Sequence, residues 1–308
     1  MKKSVLVVAL ALGVTGAFAQ DLTSKKGEPM LPEANDWAIS LDANPILSFV
    51  GNAFNGNTSN AAPSVGWLNG NQTIIGKKFI DEKTAYRALV RVGFTNQTYK
   101  NMVVDNSAAP AVFPAAPSMV EDKMSTKNTN IAIGVGKEMR RGKTRLQGYY
   151  GADAMIWLSM SGTKYKYGNT MSATSTATTT TTPTTTDFNT PLAGGGYASG
   201  PVGSRTTQTK SGMGFGIGVR AFIGAEYFIL PKISLGAEYG WGLGFQMQGK
   251  GTTSTEQTGG APTSVATIDT KTSGSSKFGI DTDLNQSNMF GFKGSNTGTL
   301  SLRATFHF

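Results

Sequence analysis

The sequence contains no cysteine and only one histidine, His307. Without cysteine no disulfide can form, and zinc sites of the His/Cys type lack their ligands. A hydrolase of the serine–histidine–acid type needs its histidine beside a nucleophile, whereas His307 is the penultimate residue. Nothing after the N-terminal segment is an apolar run of the ~20 residues that a membrane-spanning helix requires. The sequence therefore predicts neither an enzyme nor a bound metal or cofactor.

The N-terminal segment has the order of a secretory signal. Lys2 and Lys3 precede an almost wholly apolar run over 5–14, and small residues follow at Ala17 and Ala19. This order predicts a signal peptide over 1–19 that is removed in the mature protein. The polar stretch over 20–36 is then expected to form a periplasmic leader.

Hydrophobic alternation with a period of two dominates the rest of the chain. From Met213 to Phe228 the odd positions are apolar, while the even positions are mostly glycine or charged. After a short turn at 230–232 the same alternation continues over 233–246. These runs are longer than the ~5–6 residues of an ordinary strand. Tilted strands that cross a bilayer need ~9–11 residues, which these runs provide.

Six further segments show the same period and bring the predicted strands to eight. They cover 37–44, 73–80, 86–94, 131–136, 146–158 and 300–308. The connections between them alternate strictly between short and long. The short ones are 81–83, 141–143 and 230–232, and the long ones are 51–72, 97–128, 160–212 and 248–297. Short periplasmic turns and long extracellular loops alternate in this way in outer-membrane barrels.

The predicted fold class is therefore all-β, an eight-stranded antiparallel up-and-down transmembrane β-barrel over 37–308. A ten-stranded alternative would need 265–270 and 277–282 to span as well. Both segments lack a clean apolar stripe and carry Asp269 and Asp281, so we favour eight strands. The Thr/Ser-rich stretch over 172–186 cannot bury a core and is expected to be disordered, with O-glycosylation as a less favoured role.

The two faces of the predicted strands carry different side chains. Aromatic residues on the outer face are candidates for the two membrane-interface girdles: Trp37, Tyr86, Tyr227, Tyr239, Trp241, Phe245 and Phe306. The inner face carries charged residues: Asp42, Arg87, Arg91, Asp153, Arg220, Glu226, Glu238 and Arg303. Counting from the strand ends predicts a network of Glu238, Arg303 and Asp42. It is favoured as a structural plug, because an eight-stranded interior is only wide enough for side chains; the alternative is a gate or proton path.

Large inward side chains need room in so narrow an interior. Glycines at 214, 216 and 218 and at 240, 242 and 244 lie within predicted strands, so they do not match a nucleotide-binding motif that opens a helix. We interpret them as space for inward Tyr149, Met155, Trp157 and Phe222.

The chain resembles the small outer-membrane barrels typified by the OmpA transmembrane domain, OmpX and OmpW. The resemblance rests on the Gly-Ala-Glu-Tyr repeats at 224–227 and 236–239 and on the closing strand over 300–308, with aromatic Phe306 and terminal Phe308. It implies the outer membrane of a Gram-negative-type bacterium, contact with its lipid and lipopolysaccharide, and recognition of the last strand by the barrel assembly machinery.

More than half of the predicted mature chain lies in the four long loops, and loops on a rigid frame often carry function. The leading hypothesis is a non-enzymatic scaffold that displays these loops for surface binding, shielding or partnership with an envelope protein, with no nucleic-acid partner. The alternative is a narrow channel or transporter for small or apolar solutes. A third hypothesis is an envelope enzyme that modifies lipid.

Overall fold

The structure is a computed structural model. It describes residues 23–24, 26–43, 49, 52–54, 56, 73–171, 175–176, 179–180, 183–259, 264–281 and 301–308. The predicted signal peptide over 1–19 and most of the predicted loop over 51–72 lie outside the described residues. Within the described part of the chain, no helix is long and apolar enough to cross a membrane.

The described residues form sixteen strands. Their bounds are β1 Trp37–Asp42, β2 Ile74–Asp81, β3 Thr84–Val104, β4 Met119–Arg141, β5 Leu146–Lys166, β6 Ser175–Thr176, β7 Thr179–Thr180, β8 Thr184–Pro191, β9 Tyr197–Pro201, β10 Ser204–Lys210, β11 Gly214–Leu230, β12 Ile233–Gln248, β13 Gly251–Gly259, β14 Ser264–Thr272, β15 Ser275–Asp281 and β16 Ser301–His307.

Eight of these strands close into a ring. The hydrogen-bonded order is β11, β12, β16, β1, β2, β3, β4 and β5, and β5 pairs in turn with β11. Every pairing is antiparallel. The eight strands of this ring coincide with the eight segments of period-two alternation, so the predicted all-β antiparallel fold is confirmed.

The two ends of the ring differ in their connections. At one end, the short-turn end, tight turns join β2 to β3, β4 to β5 and β11 to β12. Lys232 adopts a positive φ of 61° in the last of these turns. The ring closes at this end through two backbone hydrogen bonds between Trp37 and Phe308, of 2.8 and 2.9 Å. We call the opposite end, which carries the long connections, the loop end.

Several strands continue at the loop end beyond the predicted boundaries. β3 and β4 stay paired from Thr84–Met139 to Val104–Met119, through most of the predicted loop over 97–128. Strands β10, β13 and β14 extend the same sheet from the loop-end part of β5. All three strands fall within the predicted loops over 160–212 and 248–297. These extensions lack an apolar face, so no period-two pattern marks them in the sequence. The backbone hydrogen bonds between paired strands form without such a face.

The closing strand of the ring has two pieces. β16 pairs with the first half of β12, from Ile233 to Glu238, and β15 pairs with the second half, from Gly242 to Gln248. The segment over 277–282 was expected to lie outside the eight predicted strands, within the long connection over 248–297. Instead, its described residues up to Asp281 lie beside β12.

The Thr-rich stretch is also partly ordered. The expected disorder over 172–186 is wrong for Thr184–Thr186, which begin β8, with Thr185 and Thr186 buried. Apart from the short β6–β7 pair, residues 172–182 lie outside the described part. The β8–β9 hairpin is held against the upper β3–β4 pair, where Asn101 donates hydrogen bonds to Thr186 Oγ1 and the Tyr197 carbonyl at 3.2 and 3.1 Å.

Candidate functional site: the interior of the ring

Side chains of the ring strands alternate between an interior and an exterior environment. Of the eight charged residues predicted to point inward, seven are buried, with at most 6 % of their surface exposed, and Asp42 is half-buried. The exterior residues are apolar and each is at least 40 % exposed: Ile39, Val90, Val92, Ile133, Val135, Ile156, Ile217, Val219, Ile223 and Leu243. This distribution is the reverse of a water-soluble domain, in which charge faces out.

Four cations and four carboxylates meet inside the ring, and we call them the charge network. Its members are Lys77, Arg87, Arg140, Arg220, Glu138, Asp153, Glu226 and Glu238, all nearly completely buried. Eight ion pairs connect them into one contiguous set. The formal charges of the network sum to zero. Compensation of this kind is required, because a buried charge without a partner costs several kcal/mol.

One pair of the network spans the interior. Arg87 lies on β3 and Glu238 on β12, which are four strands apart in the ring of eight and therefore on opposite sides. Arg87 Nη1 donates to Glu238 Oε2 at 2.9 Å, and Nη2 donates to Oε1 at 3.3 Å. Arg220 Nη2 donates to the same Oε1 at 2.7 Å. Two guanidinium groups thus hold Glu238 in the middle of the interior.

Aromatic side chains fill the space around the network. The Arg87 guanidinium carbon lies 3.8 Å from the centre of the Phe222 ring, and that of Arg220 lies 5.6 Å from it. Lys77 Nζ lies 4.8 Å from the centre of the Tyr149 ring. Cations over aromatic faces gain additional stabilisation once they are desolvated. These contacts leave the cations enclosed by protein.

Apolar layers cover the network on both sides. Toward the loop end lies a buried cluster of Ile75, Leu89, Ala132, Met155 and Trp157. Toward the short-turn end lies a second cluster of Ala38, Phe79 and Ala85. The order of layers along the axis is therefore apolar, charged, apolar. Such an interior is a packed core.

Glycines on the inner face provide the room that these large side chains occupy. A Cβ placed on Gly216 would lie 2.0 Å from Trp157, and one on Gly224 would lie 2.4 Å from Tyr149. A Cβ on Gly240 would lie 2.3 Å from Arg220. The inward glycines therefore serve packing, in agreement with the interpretation from the sequence.

The network differs in membership from the predicted one. Within the described residues, no ion pair joins Arg303 to Glu238 or to Asp42, although Asp42 and Arg303 are register partners. Glu238 pairs instead with Arg87 and Arg220. The prediction counted depth from the strand ends and ignored the stagger between tilted strands, which shifts the depth at which neighbours meet.

Sequence reasoning missed three members, Lys77, Glu138 and Arg140. Glu138 and Arg140 continue the inward alternation of Ala132 and Gly136 on β4, beyond the predicted end of that segment. Extending the alternation to the next turn identifies both of them. Lys77 lies between inward Ile75 and Phe79 on the weakest predicted strand, so its position was also accessible from the alternation.

His307, the penultimate residue, was judged from the sequence to be an unsuitable catalytic histidine. It is buried close to the short-turn end, with its ring centre 5.5 Å from that of Phe79 and 5.2 Å from that of Phe228. Its Nε2 lies 3.5 Å from Ser234 Oγ. In the part of the chain that the structure describes, no group of three or more His, Asp or Glu side chains is placed to hold a metal ion.

The predicted girdle residues all lie on the outer face and are at least partly exposed. Trp37, Tyr86, Tyr227 and Phe306 lie toward the short-turn end. Tyr239 and Trp241 stand in the middle of β12, with ring centres 5.8 Å apart, and Phe245 lies nearer the loop end. Phe308, the predicted assembly signal, is exposed at the short-turn end.

A second folded cluster lies at the loop end. Tyr99 from β3, Tyr165 from β5 and Tyr167 just after β5 meet Phe188 and Tyr197 from the β8–β9 hairpin, with ring centres 5.1–6.2 Å apart. We call these five residues the aromatic cap. Buried Asp122 fastens the hairpin, because Oδ1 accepts from the Gly168 N–H and Oδ2 from the Thr186 N–H, both at 2.8 Å.

Comparisons with protein families, with curated proteins and with solved structures found no match to this chain.

Proposed function

We propose that this chain is an outer-membrane β-barrel with a closed interior, which displays a folded β-sheet platform at the cell surface to bind a ligand or an envelope partner. The observation that carries the proposal is the distribution of side chains in the ring. The neutral charge network lies inside, and a continuous apolar band faces out. A transmembrane barrel has an apolar lipid face and a polar interior.

A closed interior is supported by the Arg87–Glu238 pair and by the apolar layers on both sides of it. Water and ions crossing the ring would have to separate an ion pair that bridges opposite walls and then pass Trp157 and Met155. Both steps are unfavourable, because a charge left without its partner in a buried site is costly. These features favour a scaffold over the alternative of a channel or transporter.

The proposed platform consists of the β8–β9 hairpin, β10, β13, β14 and the loop-end parts of β3, β4 and β5. Its structure supports a display role. The aromatic cap and Asp122 make a core separate from that of the ring, so this end has its own ordered structure. Strand β14 forms the edge of the platform, and all nine of its residues are exposed. Exposed strand edges pair readily with other chains, so an extended segment of a surface partner is one candidate ligand.

The absence of cysteine allows a direct test of orientation. Ala111→Cys at the loop end and Lys83→Cys at the short-turn end replace exposed residues. On intact cells, a membrane-impermeant maleimide should label the first variant, and it should label the second only after the envelope is broken. The reverse pattern, or equal labelling of both, contradicts the proposed orientation.

Conductance tests the closed interior. Purified wild-type protein in planar bilayers should give no steady conductance above the lipid baseline, and Arg87→Ala/Glu238→Ala should give a higher open probability. Steady conductance of the wild-type protein contradicts the closed interior and supports the channel alternative.

Co-purification tests the display role. Wild-type protein and a variant lacking the β8–β9 hairpin are gently purified from native membranes and compared. A partner that binds the platform should accompany only the wild-type protein.

A further inference from the structure

Two buried polar side chains near the loop end of the ring have atoms without a partner. Arg303 and Thr73 are 4 % and 2 % exposed. Arg303 Nη1 lies 3.5 Å from the Thr73 carbonyl oxygen, which is at the limit of a hydrogen bond. Arg303 Nε and Thr73 Oγ1 form no hydrogen bond. Buried polar atoms in native proteins are nearly always satisfied, by protein, water or an ion.

The charge of Arg303 is not balanced by the charge network. That network is already neutral, and its carboxylates are engaged by Lys77, Arg87, Arg140 and Arg220. Among the described carboxylates, none lies within the 4.0 Å of an ion pair with Arg303. A guanidinium buried in this way requires a counter-charge, since desolvation without one costs several kcal/mol.

A second cation stands beside this site. Ile74 pairs with Val90 in the β2–β3 ladder, so Thr73 and Arg91 are neighbours one step further along. Arg91 is buried and inward-facing, with 6 % exposure, and it adds its positive charge to that of Arg303 whatever other contact its guanidinium makes. Guanidinium groups can only donate hydrogen bonds, and a threonine hydroxyl can donate one more.

We propose that Arg303, Arg91 and Thr73 form a binding site for one small inorganic anion, with chloride as the ion to test. Thr73 lies beside both guanidinium-bearing residues, so this buried part of the interior combines hydrogen-bond donors with positive charge, which is the chemistry that selects an anion. The interior of an eight-strand ring leaves little space beside its side chains, so the site suits a small ion. It depends on the ring interior alone and does not require the ring to span a membrane.

Thermal unfolding of purified protein in detergent tests the site. At constant ionic strength, replacement of gluconate by chloride should raise the wild-type Tm saturably, by roughly 2–4 °C, because a ligand bound only by the folded state stabilises it. Arg303→Gln should abolish this dependence. The matched control is Arg140→Gln, which lowers Tm by breaking the charge network but should keep the chloride dependence.

Equal wild-type Tm values in chloride and gluconate contradict the proposal, as does an unchanged chloride response in Arg303→Gln. If Arg303→Gln does not fold, wild-type crystals soaked in bromide provide the decision. Anomalous scattering should place bromide beside Arg303 and Arg91, and its absence there overturns the site. Labelling at Ala111→Cys and Lys83→Cys reports separately on the membrane orientation.

Discussion

Arg87 and Glu238 form a bidentate ion pair across the interior of the ring, from β3 to β12, with N–O distances of 2.9 and 3.3 Å. The two residues are 151 positions apart in sequence. The pair therefore connects the first half of the ring to the second at its centre. Both side chains are almost completely buried, so neither has access to bulk water as a substitute partner.

Removal of one member of this pair should be strongly destabilising. Glu238→Gln leaves Arg87 and Arg220 with a neutral partner, and we expect a loss of about 3–5 kcal/mol in the free energy of unfolding. Urea unfolding in detergent or liposomes measures it. The control is Glu121→Gln in the exposed Lys100–Glu121 pair, where the expected loss is within ~1 kcal/mol.

A double-mutant cycle gives the coupling within the pair. Arg87→Met/Glu238→Leu should lose less stability than the sum of the losses in Arg87→Met and in Glu238→Leu, because the double variant leaves neither member of the pair as a buried charge without its partner. Two outcomes contradict a stabilising interaction between Arg87 and Glu238: additive losses of unfolding free energy in the cycle, or a loss in Glu238→Gln no larger than in Glu121→Gln.

Gly216 and Gly76 form a matched pair for the packing of the interior. Gly216→Ala places a methyl group 2.0 Å from the Trp157 ring, whereas a Cβ on Gly76 meets only the Ala88 carbonyl oxygen, at 3.9 Å. We expect about 1–3 kcal/mol of destabilisation for Gly216→Ala and within ~0.5 kcal/mol for Gly76→Ala. Near-UV circular dichroism should change only in the first variant. Equal stability of the two variants means that Trp157 is loosely packed.

Asp122 should control the order of the platform without affecting the ring. Asp122→Ala leaves the N–H groups of Gly168 and Thr186 without acceptors, at about 1–3 kcal/mol for each buried group. Hydrogen exchange over β8 and β9 should accelerate, while exchange in β11 and β12 stays slow. The adjacent Glu121→Ala removes only an exposed carboxylate and should leave exchange over β8 and β9 unchanged. Unchanged exchange in Asp122→Ala shows that the hairpin is held by other contacts.

Asp36 should give the short-turn end a dependence on acid pH. Partial burial raises the pKa of this carboxyl, but the hydrogen bonds from the Lys232 ammonium and the Glu33 N–H outweigh it, so the pKa is lowered overall. A lowered folded-state pKa gives stability that is present above the unfolded value of ~3.9 and lost as the pH falls through the folded value.

The measurement is the difference in unfolding free energy between wild type and Asp36→Asn as a function of pH. It should be about 0.5 kcal/mol near neutrality, as for a partly exposed ion pair, and should be lost as the pH falls through the lowered folded-state pKa. Lys232→Met should remove a similar amount. A difference that grows as the pH falls has the wrong sign for this mechanism.

The strands of the ring were predictable because burial on one face imposes a period of two. β11 and β12 show this most clearly, since apolar residues face out along both strands, while glycine, charged and polar residues face in at most positions, with Phe222 and Phe228 as inward exceptions. The loop-end parts of β3 and β4 carry no such signal. Polar residues on both faces, such as Gln97 and Thr98, leave only the backbone ladder to define the strand.

The partners of the interior charges were less predictable than their direction. Alternation alone identifies Arg87, Asp153, Arg220 and Glu238 as inward. Which of them meet depends on the stagger of the strands and on side-chain length, because Arg87 reaches the opposite wall. The aromatic cap was hidden for a related reason, since Phe188 and Tyr197 reach the sheet only after a long connection whose fold the local sequence does not specify.

In the proposed membrane-spanning ring, the neutrality of the charge network has an electrical consequence. An applied potential does work on a displaced charge of about 2.3 kcal/mol per elementary charge per 100 mV, but a displaced set of groups whose charges cancel experiences no net force. A transmembrane voltage therefore exerts no net force that would displace the network as a unit. Charged groups outside the balanced set, such as Arg303 and Asp42, would respond to the field.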